Sequence, residues 1–421
     1  MNKIAQIFLA GMVALALVGC AVTAPQPQLA QKPAPAAQPV EPKPNAPTWK
    51  PETLLAWPKG YTGGPAAYDM ATGAKQFELP MGRADALGKL YFAALTDKDE
   101  TRIKTYTLHD GKEVSSATMK GTWEVNGVSF SGKFVAVTRQ PNEDEQQAWT
   151  KQNTWRTDVR ILDAQDGQVK HTLNLDGNFD VETISGDGHH LFLLEHLPAI
   201  KPDHYNVRLF DLQTERMNEY PLREKGNDEV MAGYAHDVVA STDGEWLMTL
   251  YLNSTKKEAF IHALLLNLQY PVCIDLPSGD GDVKLLQEYR LTLSADNKRL
   301  YAANAALGVV VEIALNTGND PLYQVMHTTT FDGLTRGAGN PSLYTHSAFS
   351  ADSKTLYFTS NNRAWAYDIA ARKVTALPAE GALFGIGVSG DGQRVLINQE
   401  QSLLVFDASS GAALSFPVAS R

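Results

Sequence analysis

From residue 52 onward the chain alternates short apolar runs with polar turns, and one pattern keeps returning. An apolar run leads into Ser-x-Asp-Gly or a close variant, and a second apolar run follows. Val181-Glu182-Thr183-Ile184 precedes Ser185-Gly186-Asp187-Gly188, and Leu191-Phe192 follows it. The same order holds around Ser241-Thr242-Asp243-Gly244, Ser294-Ala295-Asp296-Asn297, Ser350-Ala351-Asp352-Ser353 and Ser389-Gly390-Asp391-Gly392. Weaker copies lie at Leu87-Gly88-Lys89-Leu90-Tyr91 and Phe130-Ser131-Gly132-Lys133-Phe134. Gly and Asn tolerate positive φ, and Asp bonds its own turn, so each copy predicts a hairpin between two strands. A second pattern is an apolar run ending in Asp: Val159 to Asp163, Val207 to Asp211, Ala364 to Asp368, Leu404 to Asp407, and Ala67 to Asp69.

Together the two patterns make a unit of four strands. Serines 131, 185, 241, 294, 350 and 389 follow one another at 54, 56, 53, 56 and 39 residues. Units of roughly 40–55 residues with four strands each predict an all-β fold, a β-propeller of four-stranded antiparallel sheets. Seven blades is the expected number and eight is the alternative, because an extra second half lies near 66–80. It would form a truncated blade or clasp the ring shut. The wider spacings predict insertions at 139–157, 223–235, 278–288 and 328–345. No long amphipathic helix is evident after residue 52.

The first fifty residues read differently. Lys3 precedes an apolar run from Ile4 to Val18, too short for a lasting membrane span of ~20 residues but suited to a secretory leader. It ends in Leu17-Val18-Gly19-Cys20, which resembles a bacterial lipobox. That resemblance implies removal of 1–19 and lipidation of Cys20, with several acyl chains giving stable anchoring. Ala21, where an inner-membrane protein would carry Asp, implies outer-membrane delivery and a domain facing the periplasm. Residues 21–50 hold eight prolines among Ala and Gln and no aromatic before Trp49, a composition that cannot bury a core. The segment reads as a leash, and 52–421 as the propeller.

The formal charge of −10 argues against nucleic acid or an anionic lipid surface as the main partner. Two cysteines cannot build a disulfide scaffold for 421 residues. Cys273, flanked by Pro271, Val272 and Ile274, is expected to be buried and inert.

The repeats resemble the WD40-like and YncE-like propellers of bacterial envelopes. Between about 180 and 280, Leu197-Pro198, Tyr205 to Leu209, Leu250-Tyr251, Phe260 to Leu264 and Cys273 to Pro277 are similar to a set of uncharacterised bacterial propeller proteins. The resemblance implies the fold and no activity.

Chemical motifs are few. There is no His-Glu-x-x-His, Cys-x-x-Cys, Gly-x-Ser-x-Gly or phosphate loop, and no cofactor is implied. Ser254-Thr255-Lys256-Lys257 matches Ser-x-x-Lys but falls in a polar turn, where the pair cannot share a helix face. His236 and His346 each precede an innermost strand, with Glu182 and Arg290 at nearby repeat positions, so the four could meet at the mouth of a central channel as a metal or anion site. His189-His190 reads as a turn, and Ser278 to Asp282 has too few carboxylates for a calcium loop. Trp149 and Trp155 follow the acidic run Glu143-Asp144-Glu145 and form a candidate docking loop. The expected function is a lipid-anchored, monomeric, non-enzymatic scaffold for an envelope protein or glycan. The alternatives are a lactonase-like or quinoprotein-like propeller and an outer-membrane assembly scaffold.

Overall fold

The computed structural model describes residues 53–56, 64–69 and 74–417, apart from 225–229, 280–281, 317, 319–320, 333–346, 351, 361–362, 381–382, 390–392, 400–401 and 409–412. Cys20 and His346 lie outside the described residues. The chain from 51 on is one compact unit, a β-propeller of eight antiparallel sheets in chain order. The first sheet, 53–78, has three strands. The other seven have four each: 82–120, 122–176, 178–217, 234–275, 290–330, 347–380 and 383–417. The last sheet takes all four strands from its own stretch, so 53–78 stand as a truncated extra sheet and lend no strand to it.

Each sheet is a meander in which neighbours in sequence are neighbours in space. Its first strand packs beside that of the next sheet, as 122–128 does on 178–184 and 234–240 on 290–293. Middle strands are covered on both faces by adjoining sheets, so they are apolar throughout; Trp246–Asn253 is buried at every position. Outermost strands face solvent on one side and alternate, as Glu113–Lys120 and Tyr323–Thr330 do. The core is therefore a series of layers between sheets. Trp246, Met248, Leu250 and Leu252 of the fifth sheet meet Leu291, Leu300 and Val311 of the sixth. Phe92 and Ile103 likewise meet Trp123 and Val137, and Tyr301 meets Phe358.

The repeated turn has a defined hydrogen-bond set. At Ser241 the backbone N–H donates to Trp246 O at 2.9 Å, and the Trp246 N–H returns to Ser241 Oγ at 2.8 Å. Ser241 Oγ donates to Asp243 Oδ1 at 2.5 Å, which also accepts from Glu245 N–H at 3.0 Å. Ser185, Ser294 and Ser350 repeat this set. The residue three places after the serine is left-handed: Gly244 at φ 75°, and Asn297 at 57° where glycine is absent. A Cβ on Gly244 would also stand 2.2 Å from the Phe130 ring. In the third sheet the anchor is Ser129 and not Ser131, because Gly132 must stand third; Ser131 takes the aspartate's place. In the second sheet Asp85 is the anchor, accepting from Lys89 and Leu90 N–H. At the end of each third strand, a backbone N–H reaches back to the residue before the second strand, as Leu212 does to His189 O and Leu266 to Glu245 O.

Residues 139–157 differ from the expected loop. Glu143–Gln152 is an α-helix, α1, opened by a capping box between Asn142 and Glu145. Four residues of the 278–288 insertion, Val283–Leu286, form a second helix, α2, capped by Asp282. Among the described residues no helix is long and apolar enough to cross a membrane.

Candidate functional site

The meander gives the molecule two unlike rims. First-to-second and third-to-fourth connections fall on one rim, the remaining connections on the other. The first rim carries the repeated tight turns. Among the described residues, α1, between strands two and three of the third sheet, and the parts of 218–233 and 276–289 that join successive sheets fall on the second.

On that rim the structure brings His236 and Arg290 together and sets Glu182 elsewhere. The His236 Nε2–H donates to Gln287 O at 2.7 Å, and Arg290 Nη1 donates to the same carbonyl at 2.9 Å. His236 Nε2 and Arg290 Nη1 are 2.9 Å apart, both turned on that acceptor. Burial, then the adjoining guanidinium, push the His236 pKa down to about 4, so its imidazole is neutral. Arg290 also donates to Tyr289 O at 2.6 Å, while Tyr234 accepts from Gln287 Nε2 at 3.0 Å and meets His236 edge-on. Asp237 accepts from Leu291 N–H at 2.8 Å; burial raises its carboxyl pKa against the pull of Arg290. These groups staple the fifth sheet to the sixth. With Nε2 committed to a carbonyl, His236 presents only Nδ1 to a ligand.

Glu182 is buried between the fourth and fifth sheets. Its Oε1 lies 3.3 Å from His262 Nδ1 and accepts from Thr249 Oγ1 at 3.4 Å. His262 is fully buried, and that contact is misaligned for a hydrogen bond. Tyr251 packs against His262 and stacks between Tyr205, at 5.2 Å, and Phe260, at 5.5 Å. His196 touches Tyr205 and bonds Asp180 Oδ2 at 2.7 Å. Among the described residues, Glu182 Oε2, both His262 nitrogens and the Tyr205 and Tyr251 hydroxyls are buried without a partner in hydrogen-bond geometry. The two hydroxyls are each other's hydrogen-bond neighbours, in a contact outside ideal geometry. Burial, helped by Glu182, holds both phenols far above the ordinary tyrosine range and so protonated. Tyr205, Tyr251, Phe260 and His262 all come from the segments singled out between 180 and 280. His262 was not legible as a partner of Glu182, because the two meet only when the sheets stack.

Beside this layer lies a pocket of about 140 Å³. The fourth strand of the fourth sheet is only Arg216–Met217, and past it the strand His204–Asp211 is met by isolated bridges, Tyr205 to Met231 and Val207 to Leu222. The pocket opens between this insertion and the strand Tyr270–Asp275, lined by Tyr205, Arg223, Glu224, Met231, Pro271 and Cys273 among others. Cys273 is half-buried and lines the opening, unlike its buried neighbours Val272 and Ile274. The expectation of a sealed thiol is thereby corrected: strand alternation turns residue 273 toward the gap left by the short edge.

Trp149 and Trp155 flank the end of α1 and pack edge-to-face, centroids 5.4 Å apart and both half-buried. Arg139 ties the helix down through Glu145, at 2.9 and 3.0 Å, and Asp158, at 2.7 Å. Among the described residues no three His, Cys, Asp or Glu side chains gather as a metal site.

No family model matches the chain, and no curated protein matches it in sequence. Among solved structures it is similar to the dihydro-heme d1 dehydrogenase NirN in complex with DHE, with TM-score 0.53 and 15% identity over 89% of this chain and 75% of that one. It is similar also to apo AztD from Citrobacter koseri, with TM-score 0.53 and 11% identity over 88% and 95%. The β-propeller domain of Cps50 (Swd1) from Myceliophteria thermophila aligns at TM-score 0.43 and 13% identity over 80% and 96%. At these identities the likeness is one of fold.

Proposed function

We propose that this protein is a lipid-tethered envelope propeller that binds an envelope protein or glycan and performs no catalysis. Cys20 carries the lipid, 20–51 form the leash, and the domain faces the periplasm from the outer membrane. One observation carries the reading: among the described residues α1 and the 218–233 and 276–289 connections lie on one rim, while the opposite rim repeats the same tight turns. Connections carried on a rigid frame are where recognition residues can vary. The half-buried Trp149 and Trp155 beside α1 give that rim rigid aromatic anchors.

The test is photo-cross-linking in intact cells, with the reactive residue at position 149 on the insertion rim or at 187 on the turn rim. An adduct with one envelope component at 149 and none at 187 is expected. Equal adducts at both, or none at 149, would defeat the reading. Loss of fatty-acid labelling in Cys20→Ser tests the tether separately. A heme-handling role is the second reading, from the likeness to NirN. It is the weaker one, since the Nε2 of His236 is already bonded to Gln287 O.

A further inference from the structure

We propose that the insertion-rim end of the fifth sheet's innermost strand, at Tyr234, His236 and Gln287, binds a neutral sugar ring, so that the partner of this propeller is an uncharged glycan. This rests on the reading of the insertion rim as the recognition face and names the partner's class.

The site starts from an uncovered strand. The fourth sheet's innermost strand, Asn178–Ile184, has no exposed residue. The fifth sheet's, Tyr234–Ala240, exposes Tyr234, Ala235 and Val238. Tyr234 is 42% exposed and opens the strand at the insertion rim, and Val238, at 48%, continues the apolar wall inward. The Tyr234 ring stands edge-on to His236, with centroids 6.4 Å apart.

A second observation concerns the polar groups beside that ring. Strand pairing steps from Ala235 with Tyr251 to Asp237 with Leu250, which leaves His236 as the extra residue of a bulge. Bulges re-aim the side chain they carry. The imidazole spends its Nε2–H on Gln287 O, so Nδ1 is a lone-pair acceptor. Unlike the His262 nitrogens, this Nδ1 is not sealed. Gln287 Nε2 donates to the Tyr234 hydroxyl at 3.0 Å, which leaves the phenol proton to donate outward and Gln287 Oε1 to accept.

The set is therefore two acceptors and one donor beside an aromatic face. The charges next to it are engaged: Arg290 Nη1 donates to Gln287 O and Tyr289 O, and Asp237 accepts from the Val238 and Leu291 N–H groups. A charged ligand would meet Arg290 and Asp237 together, so neither sign is favoured. A hydroxyl both donates and accepts, so neighbouring sugar hydroxyls answer all three groups. The electropositive C–H face of the sugar lies against the electron-rich face of the Tyr234 ring.

The test uses the full chain carrying Cys20→Ser and saturation-transfer NMR. The probes are chitotetraose, cellotetraose and maltotetraose, with a cationic chitosan tetramer and an anionic tetragalacturonate as controls. Saturation of at least one neutral probe at about 1 mM is expected. Tyr234→Ala and Gln287→Met, whose melting checks their fold, should each weaken its affinity at least about tenfold. No signal from any neutral probe would overturn the proposal, as would equal affinity for a charged tetramer or binding unchanged in both variants. A protein adduct at position 149 in cells, with no neutral probe bound, would mean a protein partner; the proposed function would then stand and the glycan site would fall. Probe binding lost in both variants, with no adduct at 149, would uphold the site and count against the cross-linked face alone.

Discussion

Ser241 shows how much one hydroxyl does in this chain. It accepts the Trp246 N–H and hands its own proton to Asp243, so one side chain closes the turn and orients the carboxylate. Ser241→Ala leaves a buried N–H without its acceptor, and we expect a loss of about 1–2 kcal/mol in urea unfolding. Ser241→Asp should lose less, since Asp85 fills the same role in the second sheet. His236 gives a prediction in pH. Its folded pKa, about 4, lies below the ordinary 6.5, so the unfolded state binds the extra proton. The associated stability is complete above pH 6.5 and is lost as pH falls from there toward 4. Asp237, with its carboxyl held above the ordinary range, opposes this at the acid end, while Arg290 keeps its charge throughout. Thermal melts between pH 7 and 4.5 should fall less steeply for His236→Gln than for the parent. Parallel slopes would mean that His236 is not the titrating group.

At the scale of elements, helix α1 rests on its cap and on one arginine. None of its residues is buried, so packing contributes little, and the Asn142–Glu145 box with the Arg139 clamp must hold it. Asn142→Ala should reduce helix protection in hydrogen exchange by about 1 kcal/mol and leave the sheets unchanged. If protection at 143–152 does not move, the clamp alone suffices. The layer between the fourth and fifth sheets encloses Glu182 and His262, whose misaligned 3.3 Å contact is a test of coupling. Glu182→Met and His262→Leu should each change stability by about 1–3 kcal/mol, and the double variant by clearly less than their sum. Additive losses in equilibrium unfolding would show that the two side chains do not act as a unit. The Asn-x-x-Glu start of α1 was readable at 142–145, but its ten residues carry no apolar stripe, and so the segment read as a loop.

At the scale of the molecule, stability comes from layers between sheets, each completed by its neighbour. Residues 21–50 have a composition that cannot build a core. Protease trimming to about residue 50 should therefore leave 51–421 with the melting temperature of the parent, within about 1 °C. A clear drop would mean that the leader packs on the propeller.

The sequence by itself determined the strands, the turns and the repeat, because these depend on residues within five places of one another. Ser, Asp and Gly at set offsets specify a turn wherever they stand, and alternation specifies a strand. Ser129 could even have been told from Ser131 by asking which serine has glycine third. What lies between sheets was decided only by tertiary structure. Glu182 could be placed on a first strand, but its partner is 80 residues on, and no local spacing reports which faces will meet. Cys273 looked sealed by its apolar neighbours. It lines a pocket because another sheet, 56 residues earlier in the chain, ends its fourth strand after two residues.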